Sequence, residues 1–132
     1  MCLFAEQLKA KVATTDILVY KVVRKVFGNT YETPFMGYRF FFKDGRMAEI
    51  RGALPKTCQG VVAEGVHAYT NKGVAEYKSK CCGADDDVLW AIVPEGCLYY
   101  DGVFSDIVSE KLIIFKTYGE YKAYEEEKRA KK

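Results

Sequence analysis

The run ILVYKVVRKVF, residues 17–27, constrains the fold more than any other stretch of the chain. Five of its eleven residues are β-branched, and Tyr20 and Phe27 are aromatic. Side chains branched at Cβ lose rotamer freedom in a helix and pack well on a pleated surface, so the run predicts a long strand. VLWAIVPEG (88–96) and KLIIFK (111–116) read as further strands, the first stopped by Pro94 and Gly96. CLYYDG, after Gly96, reads as another strand and turn. A chain with this pattern is built around a sheet.

The intervening segments fill in the plan. MGYRFFFKDGRMAEIRG carries Asp44-Gly45 between two strand-like flanks, which predicts a hairpin of roughly 37–43 with 46–51. VVAEGVHAYT contains a strand broken or bulged near Gly65. Thr70 or Asn71 then caps a helix whose Val74, Tyr77 and Cys81 share one face. At the start, EQLKAK predicts a short helix with Phe4, Leu8 and Val12 at fourfold spacing. At the end, YGEYKAYEEEKRAKK predicts a charged helix over 118–132, partly solvated, with nothing to bury beyond Glu125. The fold class is α+β: a twisted, mainly antiparallel sheet packed on one central helix, with a charged C-terminal helix. All 132 residues fit one domain, with 1–15 as an N-terminal lead.

Charge and cysteine content narrow the function classes. A formal net charge of +2 lacks the cationic excess of a dedicated nucleic-acid binder. YRFFFK and LYYDGVF place rings near basic residues, but alternation along a strand turns half of those rings inward. The expectation is no specific nucleic acid and no membrane partner. Five cysteines, an odd number, with no signal-peptide pattern, suggest free thiols in a reducing cytoplasm. Adjacent Cys81 and Cys82 diverge and chelate one ion poorly, ADDD (84–87) lacks a calcium-loop pattern, and no metal site is expected.

Candidate chemistry centres on His67, the single histidine, in EGVHAYTNKGVAEY. A Cys–His nucleophile needs contact that the sequence does not single out. Ser105, Asp106, Ser109 and Glu110 precede the last strand, and Glu110 is the carboxylate best placed for chemistry. A histidine on a strand is more often a hydrogen-bonded packing residue than a catalyst.

VYKVV, EGVHAYTNKGVAEY and VLWAIVPEGCLYYDG…DIVSEKLIIFK together resemble a group of small uncharacterised domains of bacteria and their phages. A more distant similarity is to ADP-ribosyltransferase-like folds. That resemblance implies an NAD-linked enzyme in which Tyr20 or Lys21 holds NAD. Tyr69 and Thr70, beside His67, would line the nicotinamide pocket, and Glu110 would orient the ribose. Lys21 stands where those enzymes carry Arg or His, and Ser109-Glu110-Lys111 lacks their acid-x-acid form. The favoured expectation is a phage-associated binding protein without catalysis or cofactor, engaging a protein partner or a second copy of itself as a homo-oligomer. Ten tyrosines supply contact area with a polar tip for such a role. The other readings are the NAD-linked enzyme, with ligand contacts at Tyr20, Lys21, His67, Tyr69 and Thr70, and a minor structural part of a virion or assembly.

Overall fold

The computed structural model describes residues 3–27, 30–33, 39–42, 45–82 and 86–131. The first strands are β1 (Leu3–Phe4), β2 (Lys11–Val12), β3 (Ile17–Phe27), β4 (Thr30–Glu32), β5 (Arg39–Phe41) and β6 (Met47–Arg51). Next come β7 (Val61–Val62), β8 (Val66–Tyr69), helix α1 (Lys72–Cys82) and β9 (Asp86–Val93). The chain closes with β10 (Leu98–Asp101), β11 (Asp106–Ser109), β12 (Lys111–Phe115) and helix α2 (Tyr118–Ala130). Every strand pair among the described residues is antiparallel. The main sheet runs β2-β10-β11-β8-β3-β9-β12-β6, with β4 and β5 attached at β3. β1 and β7 form a separate ladder. The α+β class and the mainly antiparallel sheet are as the sequence predicts.

Connectivity forces the sheet to curl. β11 and β12 are joined by Glu110 alone, yet β8, β3 and β9 lie between them in the sheet. Four steps of roughly 4.8 Å would hold them about 19 Å apart in a flat sheet. Two residues of chain reach at most about 7 Å. The sheet therefore bends until its halves meet at Glu110. There the Gly52 N–H donates to the Glu110 carbonyl at 3.1 Å, and the Glu110 N–H to the Leu98 carbonyl at 3.1 Å.

The concave face carries the main core. Alternation puts Val19 and Val23 of β3, Ala91 and Val93 of β9, and Leu112 and Ile114 of β12 on it. Val66, Ala68, Ile107, Ile50 and the rings of Phe40 and Phe42 complete it. The convex face of β3 and β9 carries Val22 and Val88, which pack with Tyr69 under α1. Asn71 caps α1, its Oδ1 accepting from the Val74 N–H at 3.1 Å.

α2 begins at Thr117, whose hydroxyl accepts from the Glu120 N–H at 3.2 Å. Its tyrosines lie against the sheet: Tyr118 on Trp90, and Tyr121 and Tyr124 on Phe115, with centroids 5.1–5.5 Å apart. No residue of α2 is fully buried. Ion pairs hold both ends, Arg46–Glu120 at 2.8 Å and Lys128–Asp16 at 2.7 Å. Among the described residues no helix is long and apolar enough to cross a membrane.

Three local expectations are corrected. The N-terminal segment is extended rather than helical: β1 pairs with β7, β2 with β10, and isolated bridges join Ala5 to Gly102 and Lys9 to Thr57. A short helix is marginal on its own, whereas strand edges here offer ready backbone partners. Phe4, Leu8 and Val12 consequently face solvent. The predicted hairpin is not formed by the described residues, because β5 pairs with β4 and β6 with β12; Asp44 of its turn lies outside them. On α1, Ala75 and Ser79 face inward and Tyr77 outward, while the Cys81 side chain lies outside the description. The charged C-terminal helix is present as expected, running to Ala130 and mostly exposed beyond Glu125, with Lys128 tied to Asp16.

Gly65 interrupts the strand as expected. Its φ is +104°, and a Cβ there would meet Val108 Cγ2 at 2.7 Å and Leu54 Cδ1 at 2.9 Å. Gly65→Ala is expected to lower unfolding stability by about 1–3 kcal/mol in urea titration. Tyr77→Ala, on the solvent side of α1, is expected to change it by less than about 0.5 kcal/mol. An unchanged Gly65→Ala midpoint would contradict that packing.

Candidate functional site

Lys21 is the most unusual of the predicted residues. It lies between Val19 and Val23 on β3, and its side chain enters the concave core. β3 and β8 share the single pair Tyr20↔Tyr69, so their ladder does not extend to His67. The Lys21 ammonium donates to the His67 carbonyl instead. Burial holds its pKa down to about 7, with no carboxylate contributing to the shift. The His67 ring, on the opposite side of β8, places Nε2 3.3 Å from the Ala63 carbonyl. Burial lowers its pKa, and the nearby Lys21 charge adds to that effect. Both groups are set as packing and backbone-bonding elements.

The other predicted residues are divided between two ends of the sheet. Tyr20 meets Trp90 edge to face at 6.1 Å, and Tyr69 is buried against Val22 and Ala75. The Thr70 N–H and hydroxyl both donate to the Ser105 carbonyl, at 2.9 and 3.1 Å. Glu110 is elsewhere: Tyr69 pairs with Asp106, and Glu110 lies four residues further along the chain, about 13 Å of strand. Its Oε1 accepts from the Leu98 N–H at 3.2 Å, beside Arg51, Cys97 and Lys111. The cleft that Glu110 lines thus does not include Tyr20, Lys21, His67, Tyr69 or Thr70.

The Thr70–Ser105 contact positions a feature that the sequence did not single out. Ser105 takes a left-handed φ of +60°, and the Asp106 carboxylate accepts from the Phe104 N–H at 3.3 Å. Gly102 lies so close to Asp106 that a Cβ would fall 1.9 Å from Oδ1. This fixed turn points Val103 and Phe104 outward, 52% and 64% exposed. The Phe104 ring meets Phe4 edge to face at 6.2 Å, and the Val103 N–H donates to the Phe4 carbonyl at 3.0 Å. Phe4 in turn stands opposite Val61 in the β1–β7 ladder, and both are about half exposed. Phe4, Val61, Val103 and Phe104 thus expose uncharged apolar side chains around one ring-to-ring contact, on the order of 300 Å² in all. Its sequence signal is VF at a hairpin tip, between Gly102 and Ser105, where polar residues are usual.

Among the described residues no group of three His, Cys, Asp or Glu side chains is arranged to hold a metal ion. Cys97 is buried, which pushes its thiol pKa up. Half-buried Cys58 donates weakly to the Gln7 carbonyl at 3.7 Å. Searches with protein-family models, against curated proteins and against solved structures find no match for this chain.

The buried lysine makes a signed prediction. In the unfolded chain Lys21 keeps its proton up to its ordinary pKa of 10.5, whereas in the fold it releases it near 7. Between those values the unfolded state binds more protons, so this group's contribution to stability rises with pH. Urea midpoints of the wild type should therefore rise relative to Lys21→Met from about pH 7 to about pH 9.5. A difference independent of pH would mean that the amine is not desolvated.

Proposed function

We propose that this protein is a small non-catalytic binding module that engages a protein partner through Phe4, Val61, Val103 and Phe104. The observation that carries this reading is the pair of exposed phenylalanines held ring to ring, Phe104 on the fixed turn and Phe4 on β1. Exposed rings usually cost solubility, and the largest apolar patch on a monomer is often functional. Here the turn is tied to β8 through Thr70 and to the N-terminal segment through the Phe4 carbonyl. Little ordering entropy remains to be lost on binding. The patch carries no charge, so it matches an apolar, uncharged segment of a partner.

Selection from a random peptide library on the wild-type chain, counter-selected on a Phe4→Ser/Phe104→Ser double variant, tests the surface. Apolar peptides are expected, with affinity reduced at least about tenfold on the variant, which keeps its far-ultraviolet circular dichroism. Peptides that bind both proteins equally would place the contact elsewhere.

A further inference from the structure

A second surface differs from that patch in both shape and charge. Under α2, between its C-terminal half and the adjacent ends of β3 and β9, lies a groove of about 450 Å³. This falls in the range of small-molecule sites, roughly 300–1,000 Å³. It exists because α2 rests on the sheet through tyrosine rings and terminal ion pairs and buries none of its residues completely.

The wall chemistry is uneven. Leu18, Tyr121 and Tyr124 supply an apolar and aromatic floor. At the rim, Asp16 is occupied by Lys128 at 2.7 Å and also accepts from the Glu95 N–H at 2.9 Å. Glu125 accepts from the Tyr121 hydroxyl at 2.7 Å and pairs with Arg129 at 3.0 Å. The Glu95 carboxylate is exposed and contributes, after Asp16, to raising the Lys128 pKa. With Asp16, Glu95 and Glu125 against Lys128 and Arg129, the lining carries one negative charge more than it carries positive.

We infer that this groove binds a small organic cation: an aromatic or branched apolar body seated on Leu18, Tyr121 and Tyr124, with one ammonium or guanidinium group meeting Glu95. A ring fits the floor because aromatic side chains offer edges and faces at stacking distance. The cation meets the surplus negative charge of the lining at Glu95, whose carboxylate shares the field of Lys128 with Asp16, through a charge-assisted hydrogen bond at the half-open rim. An anionic ligand would instead face the surplus carboxylate.

Tyramine, its neutral alcohol counterpart tyrosol, and 4-hydroxyphenylacetate share a ring and differ in head-group charge, so they serve as probes in NMR titrations of the full chain. Tyramine is expected to shift resonances of Leu18, Glu95, Tyr121 and Tyr124 saturably, and to bind about tenfold more tightly than tyrosol. Glu95→Gln should remove that preference while leaving tyrosol binding unchanged. The variant alters an exposed side chain and keeps the backbone N–H bond to Asp16. Absence of saturable shifts with tyramine, equal or tighter binding of the acid, or an amine preference that survives Glu95→Gln would each overturn the assignment. The Phe4→Ser/Phe104→Ser variant should bind tyramine like the wild type, which separates this site from the apolar patch.

Discussion

A single residue of chain between β11 and β12 governs the architecture. Because Glu110 must connect strands separated by three others in the sheet, the sheet cannot lie flat. Curling gives it a concave interior that closes on itself, so β-branched residues alternating on β3, β9 and β12 bury one face together without a second sheet. The convex face is shared by the two helices and the β1–β7 ladder: α1 seals one part of it with Ala75, Val22 and Tyr69, and Leu3 and Val62 cover Tyr100 and Val108. The Glu110 side chain serves this geometry too, accepting from the Leu98 N–H at the meeting point. A carboxylate that looked like chemistry in the sequence is part of the closure.

The sequence made the strands legible where composition alone decides them. ILVYKVVRKVF, VLWAIV and KLIIF are strands because their branched side chains suit a pleated surface whichever partners they meet. Asn71 was legible as a cap because that chemistry is local. What stayed hidden depended on pairing across long chain separations. Asp44-Gly45 is a strong local turn signal, yet Met47–Arg51 takes its partner from Lys111–Phe115. Phe4, Leu8 and Val12 have helical spacing, but their backbone is claimed by edges at Thr57, Val61 and Leu98. DIVS looks like a polar lead into the last strand, because its one-residue separation from KLIIF conceals that three strands lie between the two in the sheet.

The candidate residues show the same division. Lys21, His67, Tyr69 and Thr70 do lie near one another, as a shared strand seam requires, but the polar side-chain atoms of Lys21, His67 and Thr70 are turned to backbone carbonyls. Thr70 is instructive: a candidate pocket liner by resemblance, it uses its hydroxyl to anchor the Ser105 turn. The residues that do present an unusual surface, Phe4 and Phe104, are a hundred positions apart and meet only in the fold. Lys21 could not have been placed from sequence either. In a run of hydrophobic residues an isolated lysine usually marks the wet face, and here it occupies the dry one. The lysine stem fills volume there, and the amine satisfies a carbonyl that the diverging strands leave open.

The extended N-terminal segment has a protective role. Residues 3–13 lie along edges at Thr57–Val62 and at Leu98–Gly102, supplying backbone partners to both. A bare sheet edge is a template for uncontrolled strand addition. The segment thus works as a built-in edge guard. Proteolytic trimming of it would uncover two pairing surfaces at once, beside the already apolar Val61 and Phe104, and turn a discrete contact patch into a seed for aggregation.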